Sequence, residues 1–105
     1  MSEDQVRYFL SYSGVKLPLR LVSPLEPEAI ENRNTYFTAQ YDQQERLVLC
    51  RKMVYGEVEF EHRYTYHDNG TLSRAEIDTE DETRVVEFDE QGAEWFDRTF
   101  HSNDS

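Results

Sequence analysis

The stretch Glu57-Val58-Glu59-Phe60-Glu61-His62-Arg63-Tyr64-Thr65-Tyr66-His67-Asp68-Asn69-Gly70-Thr71-Leu72-Ser73-Arg74-Ala75-Glu76-Ile77 decides the fold. Acids at 57, 59 and 61 alternate with Val58, Phe60, His62, Tyr64 and Tyr66, a period of two that belongs to a half-buried strand and not to a helix. Asn69-Gly70 then turns the chain, and a second alternating run follows. A two-residue type I′ loop there needs positive φ at both positions, which Asn and Gly tolerate. That loop sets Asp68 opposite Thr71, Tyr66 opposite Ser73, Thr65 opposite Arg74, Tyr64 opposite Ala75, Arg63 opposite Glu76 and His62 opposite Ile77. A four-residue loop would oppose Arg63 to Arg74 and Glu61 to Glu76, and like charges directly across a ladder are unfavourable.

The preceding hairpin is read in the same way. With Tyr55-Gly56 as its turn, Met53 faces Val58, Lys52 faces Glu59 and Arg51 faces Phe60. Glu57, Glu59 and Glu61 then stand on a wet face, while Val58, Phe60, His62, Tyr64 and Tyr66 pack inward. Arg51 joins the inward face, and Cys50 joins Lys52 and the glutamates.

The same grammar extends along the chain. Residues 6–12 and 14–22 are strand candidates joined at Ser13-Gly14, and Pro18, which lacks an amide donor, marks the second as an edge or bulged strand. Residues 23–34 hold prolines at 24 and 27, early acids and Ser23 as a candidate cap, the pattern of one or two helical turns. Six further strands follow at 35–41, 46–55, 57–67, 71–77, 83–88 and 93–100, joined by short polar turns that favour antiparallel pairing of sequence neighbours. The expected fold is all-β: an antiparallel meander of about eight strands, a curved sheet or small barrel, with one short helical insert. One domain spans 1–100 and a frayed tail 101–105, since 105 residues cannot supply two cores. Trp95, Phe96 and Phe100 either close one end of the core or, left exposed, form a dimer contact.

Three connections echo one another: Tyr41-Asp42-Gln43-Gln44-Glu45-Arg46-Leu47, Tyr66-His67-Asp68-Asn69-Gly70-Thr71-Leu72 and Phe88-Asp89-Glu90-Gln91-Gly92-Ala93-Glu94. Each places an aromatic, a polar turn and an outgoing strand. This resembles the YD repeats of Rhs-type proteins, with Glu45 standing where that pattern has glycine. The chain as a whole, particularly residues 7–25 and 52–67, also resembles a group of small uncharacterised bacterial proteins, a resemblance that implies no activity.

The net charge of −11 is carried unevenly. Residues 1–52 hold seven acids and seven bases, and residues 53–105 hold fifteen acids against Arg63, Arg74, Arg84 and Arg98. Such a field repels nucleic acid and anionic membrane and speeds encounter with a basic partner. The amino terminus carries Glu3 and Asp4 and no long apolar run. With the single Cys50, this points to a cytoplasmic setting without disulfides.

Chemistry is faint. No serine sits in a nucleophile elbow, and no glycine loop cradles phosphate. His62 and His67 point to opposite faces of one strand, and residues 78–82 lack the spacing of a calcium loop, so no metal or other cofactor is expected. Three readings result. The first is a non-enzymatic acidic interaction module that docks a basic protein through Glu57, Glu59 and Glu61. The second is a phosphate-mimicking inhibitor of a nucleic-acid-binding protein. The third is a small-ligand-binding β domain using Arg51, His62, Tyr64 and Tyr66.

Overall fold

The computed structural model describes residues 6–14 and 16–101. Eight strands run through it: β1 (Arg7–Ser13), β2 (Arg20–Leu25), β3 (Thr35–Tyr41), β4 (Leu47–Val54), β5 (Glu57–Tyr66), β6 (Leu72–Thr79), β7 (Glu82–Phe88) and β8 (Glu94–His101). They form a single antiparallel sheet in the order β2-β1-β3-β4-β5-β6-β7-β8, which does not close. The radius of gyration, 14.6 Å, exceeds the roughly 13 Å of a compact domain of this length, as an open sheet should.

From Thr35 onward every strand pairs with its sequence neighbour, as the short turns require. The amino-terminal part departs from that rule. β1 is flanked by β2 and by β3, so β2 and β3 are not adjacent. The helical insert between them is a 3-10 helix, Pro27–Asn32, with Pro27 in its first turn. Ser23 does not cap it: Ser23 lies inside β2 with φ of 63°, and the capping position belongs to Glu26. β2 is the sheet edge expected for the second strand, but it begins only at Arg20. Leu17, cis-Pro18 and Leu19 form the connection instead. Val15 and residues 102–105 lie outside the described residues, and β8 runs one residue past the expected boundary, to His101.

One face of the sheet carries the core. Phe9, Phe37, Ala39, Leu47, Cys50, Tyr64 and Ala75 are buried there, and Leu19 comes down on them from the β1–β2 connection. Cross-strand pairing explains the alignment: Ala39 opposes Cys50, Cys50 opposes His62, and Tyr64 opposes Ala75, so these residues share a face. Rings continue the layer, with Phe37–Phe60 centroids 6.1 Å apart and Phe60–His62 4.9 Å apart.

The register between β5 and β6 matches the expectation from His62–Ile77 to Thr65–Arg74. It then shifts, so Tyr66 opposes Leu72 and not Ser73. The turn is a three-residue loop, with His67 N–H donating to the Thr71 carbonyl and Gly70 N–H to the His67 carbonyl. Only Gly70 has positive φ (91°), so this is the bulged loop and not a type I′ turn. Asn69 is held otherwise: its Oδ1 accepts from Thr71 N–H at 3.1 Å, and its Nδ2 donates to the Glu90 carbonyl at 3.1 Å.

All three echoing connections share this geometry. Asp42, His67 and Asp89 each give their N–H to the residue four ahead and accept from the residue three ahead. The third residue onward is left-handed each time: Glu45 (64°), Gly70 (91°) and Gly92 (91°). A bulge adjoins each loop: the register shifts opposite the aromatic, Tyr41, Tyr66 or Phe88, and the extra residue, Val48, Ser73 or Trp95, lies on the outgoing strand. Asp42 and Asp89 brace their loops by accepting two backbone N–H groups each at 2.9 Å. Glu45, which lacks glycine's freedom in that region, is tied by a bidentate ion pair to Arg7 at 2.9 and 3.0 Å.

Candidate functional site

A bulge in the β4–β5 hairpin decides which side chains meet. Tyr55-Gly56 forms the expected two-residue turn with φ of 51° and 82°, and Met53 opposes Val58 as expected. Between Lys52 and Met53 the register slips, Glu59 becomes the extra residue, and Lys52 opposes Phe60. Everything beyond is displaced by one. Arg51 therefore opposes Glu61 on the outer face, and Cys50 opposes His62 on the packed face. Both expected face assignments are reversed. Val58, expected inward, is out of phase with Phe60 and 49% exposed.

Arg51, His62, Tyr64 and Tyr66 are thus not one constellation. His62 and Tyr64 are buried and meet each other, with His62 Nδ1 2.7 Å from the Tyr64 hydroxyl. Leu19 N–H donates to that hydroxyl at 3.1 Å, which leaves the hydroxyl hydrogen for Nδ1 and the imidazole proton on Nε2. Burial pushes the His62 pKa down to about 4 and the Tyr64 pKa well up, so both are neutral near pH 7. Tyr66 is half-buried; its hydroxyl donates to the Leu47 carbonyl at 2.7 Å, and Arg46 stacks over its ring at 4.8 Å. The hydroxyls of Tyr64 and Tyr66 and Nδ1 of His62 find their partners within the protein, and the two hydroxyls tie the β1–β2 connection and the start of β4 onto the sheet. Cys50 is fully buried, and burial raises its thiol to about 12, far from a thiolate nucleophile.

The outer face carries charge in alternation. Arg51 reaches Glu61 at 2.8 Å, Glu61 reaches Arg63 at 2.6 Å, and Arg63 lies 3.6 Å from Glu76. Arg74 then bridges Glu76 at 3.3 Å and Glu87 at 3.7 Å. The Glu61 side chain is only 13% exposed, and its Oε2 touches Arg63 without hydrogen-bond alignment. On the other face Arg84 holds Asp97 with two bonds, 2.8 and 3.0 Å, and keeps that carboxyl below the usual range. Arg98 lies over the Phe100 ring at 5.3 Å. The four arginines of the second half are thus all engaged within the protein.

The acids so left over are not spread evenly. At the end of the sheet where the β4–β5 and β6–β7 turns lie side by side, a hollow of about 380 Å³ is lined by Val54, Tyr55, Glu57, Val58, Glu59 and Glu80. Of the three expected partner-binding glutamates, Glu57 and Glu59 line it, Glu59 with its charge bridged to Lys52 at 2.9 Å, and Glu61 does not. Glu80 comes from the turn between β6 and β7. Tyr55 stands at the rim, 75% exposed, at a turn position where a bulky side chain costs roughly 1 kcal/mol and Asn or Gly is usual. That mismatch between residue and turn is the sequence signal that would have singled it out.

A second hollow, about 510 Å³, lies between the β1–β2 connection (Lys16, Leu17, Pro18) and the turns at Thr71, Leu72, Phe88 and Gly92. It is mostly apolar and contains none of the residues expected to bind a ligand. Among the described residues, no group of three or more His, Cys, Asp or Glu is placed to hold a metal ion. Among them too, no helix is long and apolar enough to cross a membrane.

The chain belongs to a family of unknown function, DUF6156, whose model matches residues 1–97. No curated protein and no solved structure matches it.

Proposed function

We propose that this member of the family is a non-enzymatic acidic interaction module that docks a basic protein surface at the hollow between the β4–β5 and β6–β7 turns. The observation that carries the reading is Tyr55, exposed at the rim and flanked by Glu57, Val58, Glu59 and Glu80. An aromatic anchor ringed by acids suits a lysine- or arginine-rich partner. The ring offers a cation–π face and apolar area, and the carboxylates steer the encounter. Engagement of Arg63, Arg74 and Arg84 in intramolecular ion pairs leaves the remaining carboxylates to set the external field.

The test is retention of partners from native lysate on immobilised protein, at low and high salt, with wild type and with the Glu57→Lys, Glu80→Lys double variant. The expected result is a basic protein held by wild type at low salt, released by added salt, and lost in the variant. Binding that ignores salt, or a partner set unchanged by the double reversal, would overturn the proposal.

A further inference from the structure

The sheet has two outer strands, and they are not equivalent. β2 carries Pro24, which has no N–H, beside the left-handed Ser23, two devices that spoil an edge for pairing. β8 has neither. Past the bulge at Trp95 its register with β7 is unbroken, from Phe96–Glu87 to His101–Glu82. Among the described residues nothing pairs with its outer side. Trp95 is 63% exposed, and Phe100, 47% exposed, lines a hollow with Val85, Phe96, Thr83 and the charged Arg74, Glu76 and Glu87.

We infer that this edge pairs antiparallel with β8 of a second copy of the chain, about a two-fold axis through Thr99. The symmetry is restrictive. A two-fold that joins two strand edges antiparallel stands normal to the sheet, so each residue keeps its face and one residue must oppose itself. Centring on Asp97 or Arg98 sets like charges against each other. Centring on Phe96 runs into the Trp95 bulge, and centring on Phe100 leaves only Thr99, Phe100 and His101 paired among the described residues.

Centring on Thr99 opposes Thr99 to itself, Arg98 to the second copy's Phe100, and Asp97 to the second copy's His101. Each is a favourable cross-strand pair: hydroxyl with hydroxyl, cation with ring, acid with imidazole. Arg98 already lies over the Phe100 ring of its own strand, and Asp97, held by Arg84, keeps free lone pairs. Thr99, Arg98 and Asp97 are exposed in the single copy.

Each copy carries −11, so the copies repel and added salt strengthens their association. This is opposite in sign to docking on a basic partner, so the two proposals stand or fall separately.

The experiment is sedimentation equilibrium of the full chain from micromolar to submillimolar concentration. A reversible shift from 12.5 kDa toward twice that mass is expected, stronger at higher salt. Thr99→Lys, which puts two ammonium groups at the axis, should weaken association at least about tenfold. Tyr12→Ala, far from β8 on β1, should leave it unchanged. Hydrogen exchange of wild type gives a readout free of any variant's folding: outward amides of residues 97–101 should slow as concentration rises. A single 12.5 kDa species throughout, a dimer indifferent to Thr99→Lys, or exchange in β8 independent of concentration overturns the inference.

Discussion

Replacing Tyr64 by Phe removes one oxygen and tests what holds the β1–β2 connection over the core. In the wild type that oxygen accepts from Leu19 N–H at 3.1 Å and meets His62 Nδ1 at 2.7 Å. The ring itself stays, so no cavity opens. What remains is a backbone donor and an imidazole acceptor, both without their partner in a buried setting. Each such group costs about 1–3 kcal/mol. The connection is a bend and not a strand, so it can yield slightly, and the lower part of the range applies: about 2–4 kcal/mol in total. For a domain of this size that is a fall in melting temperature of roughly 10–25 °C. Urea unfolding followed by tryptophan fluorescence should show a lower midpoint at an unchanged m-value. Tyr66→Phe is the internal comparison: it releases only the half-buried Leu47 carbonyl and should cost about 1 kcal/mol. If Tyr64→Phe unfolds within about 0.5 kcal/mol of wild type, or no more easily than Tyr66→Phe, the hydroxyl does not hold the β1–β2 connection over the core.

Two further outcomes follow from burial. His62 has its pKa lowered from 6.5 to about 4 in the folded chain, so the unfolded chain binds the proton first. Its contribution is complete above pH 6.5 and is lost as pH falls toward 4, by on the order of 3 kcal/mol; unfolding free energies across that window should fall accordingly, and a His62→Gln variant whose slope equals that of wild type would remove the attribution. Cys50, fully buried with its thiol raised to about 12, should react with a disulfide reagent only as fast as the chain unfolds; rapid labelling of native protein would contradict the packing of β4.

The strands were legible because alternation and turn residues are local signals. Thr35–Tyr41 matches the expectation at both ends, and the pairing of Arg63 with Glu76 followed from avoiding like charges across the ladder. Bulges were not legible. Each side of a one-residue slip alternates correctly by itself, so nothing in Val58-Glu59-Phe60 reveals that the phase changes there. That slip put Arg51 outside, drew Cys50 inside and separated Glu61 from Glu57 and Glu59. The Asn69-Gly70 loop failed for a different reason: the Asn69 side chain is held by Thr71 and by Glu90 of the next loop, a long-range contact that turn preferences cannot anticipate. Ser23 lost its capping role because β2 extends through it to Leu25. The acidic hollow was half visible: Glu57 and Glu59 stand out in the sequence, Tyr55 is marked only by its misfit with the turn, and Glu80 depends on two turns meeting in space.

The slip at Glu59 also divides β5 into two sections that keep separate time. Glu57 and Val58 take their faces from the tight turn and from Val54 and Met53, which β3 holds in phase with the rest of β4, while the body of β5 follows the sheet beyond the slip. Side chains at the tip can therefore be exchanged as a cassette without altering which residues of the body face the core. A contact surface built there is free to diversify while the scaffold beneath it stays constant.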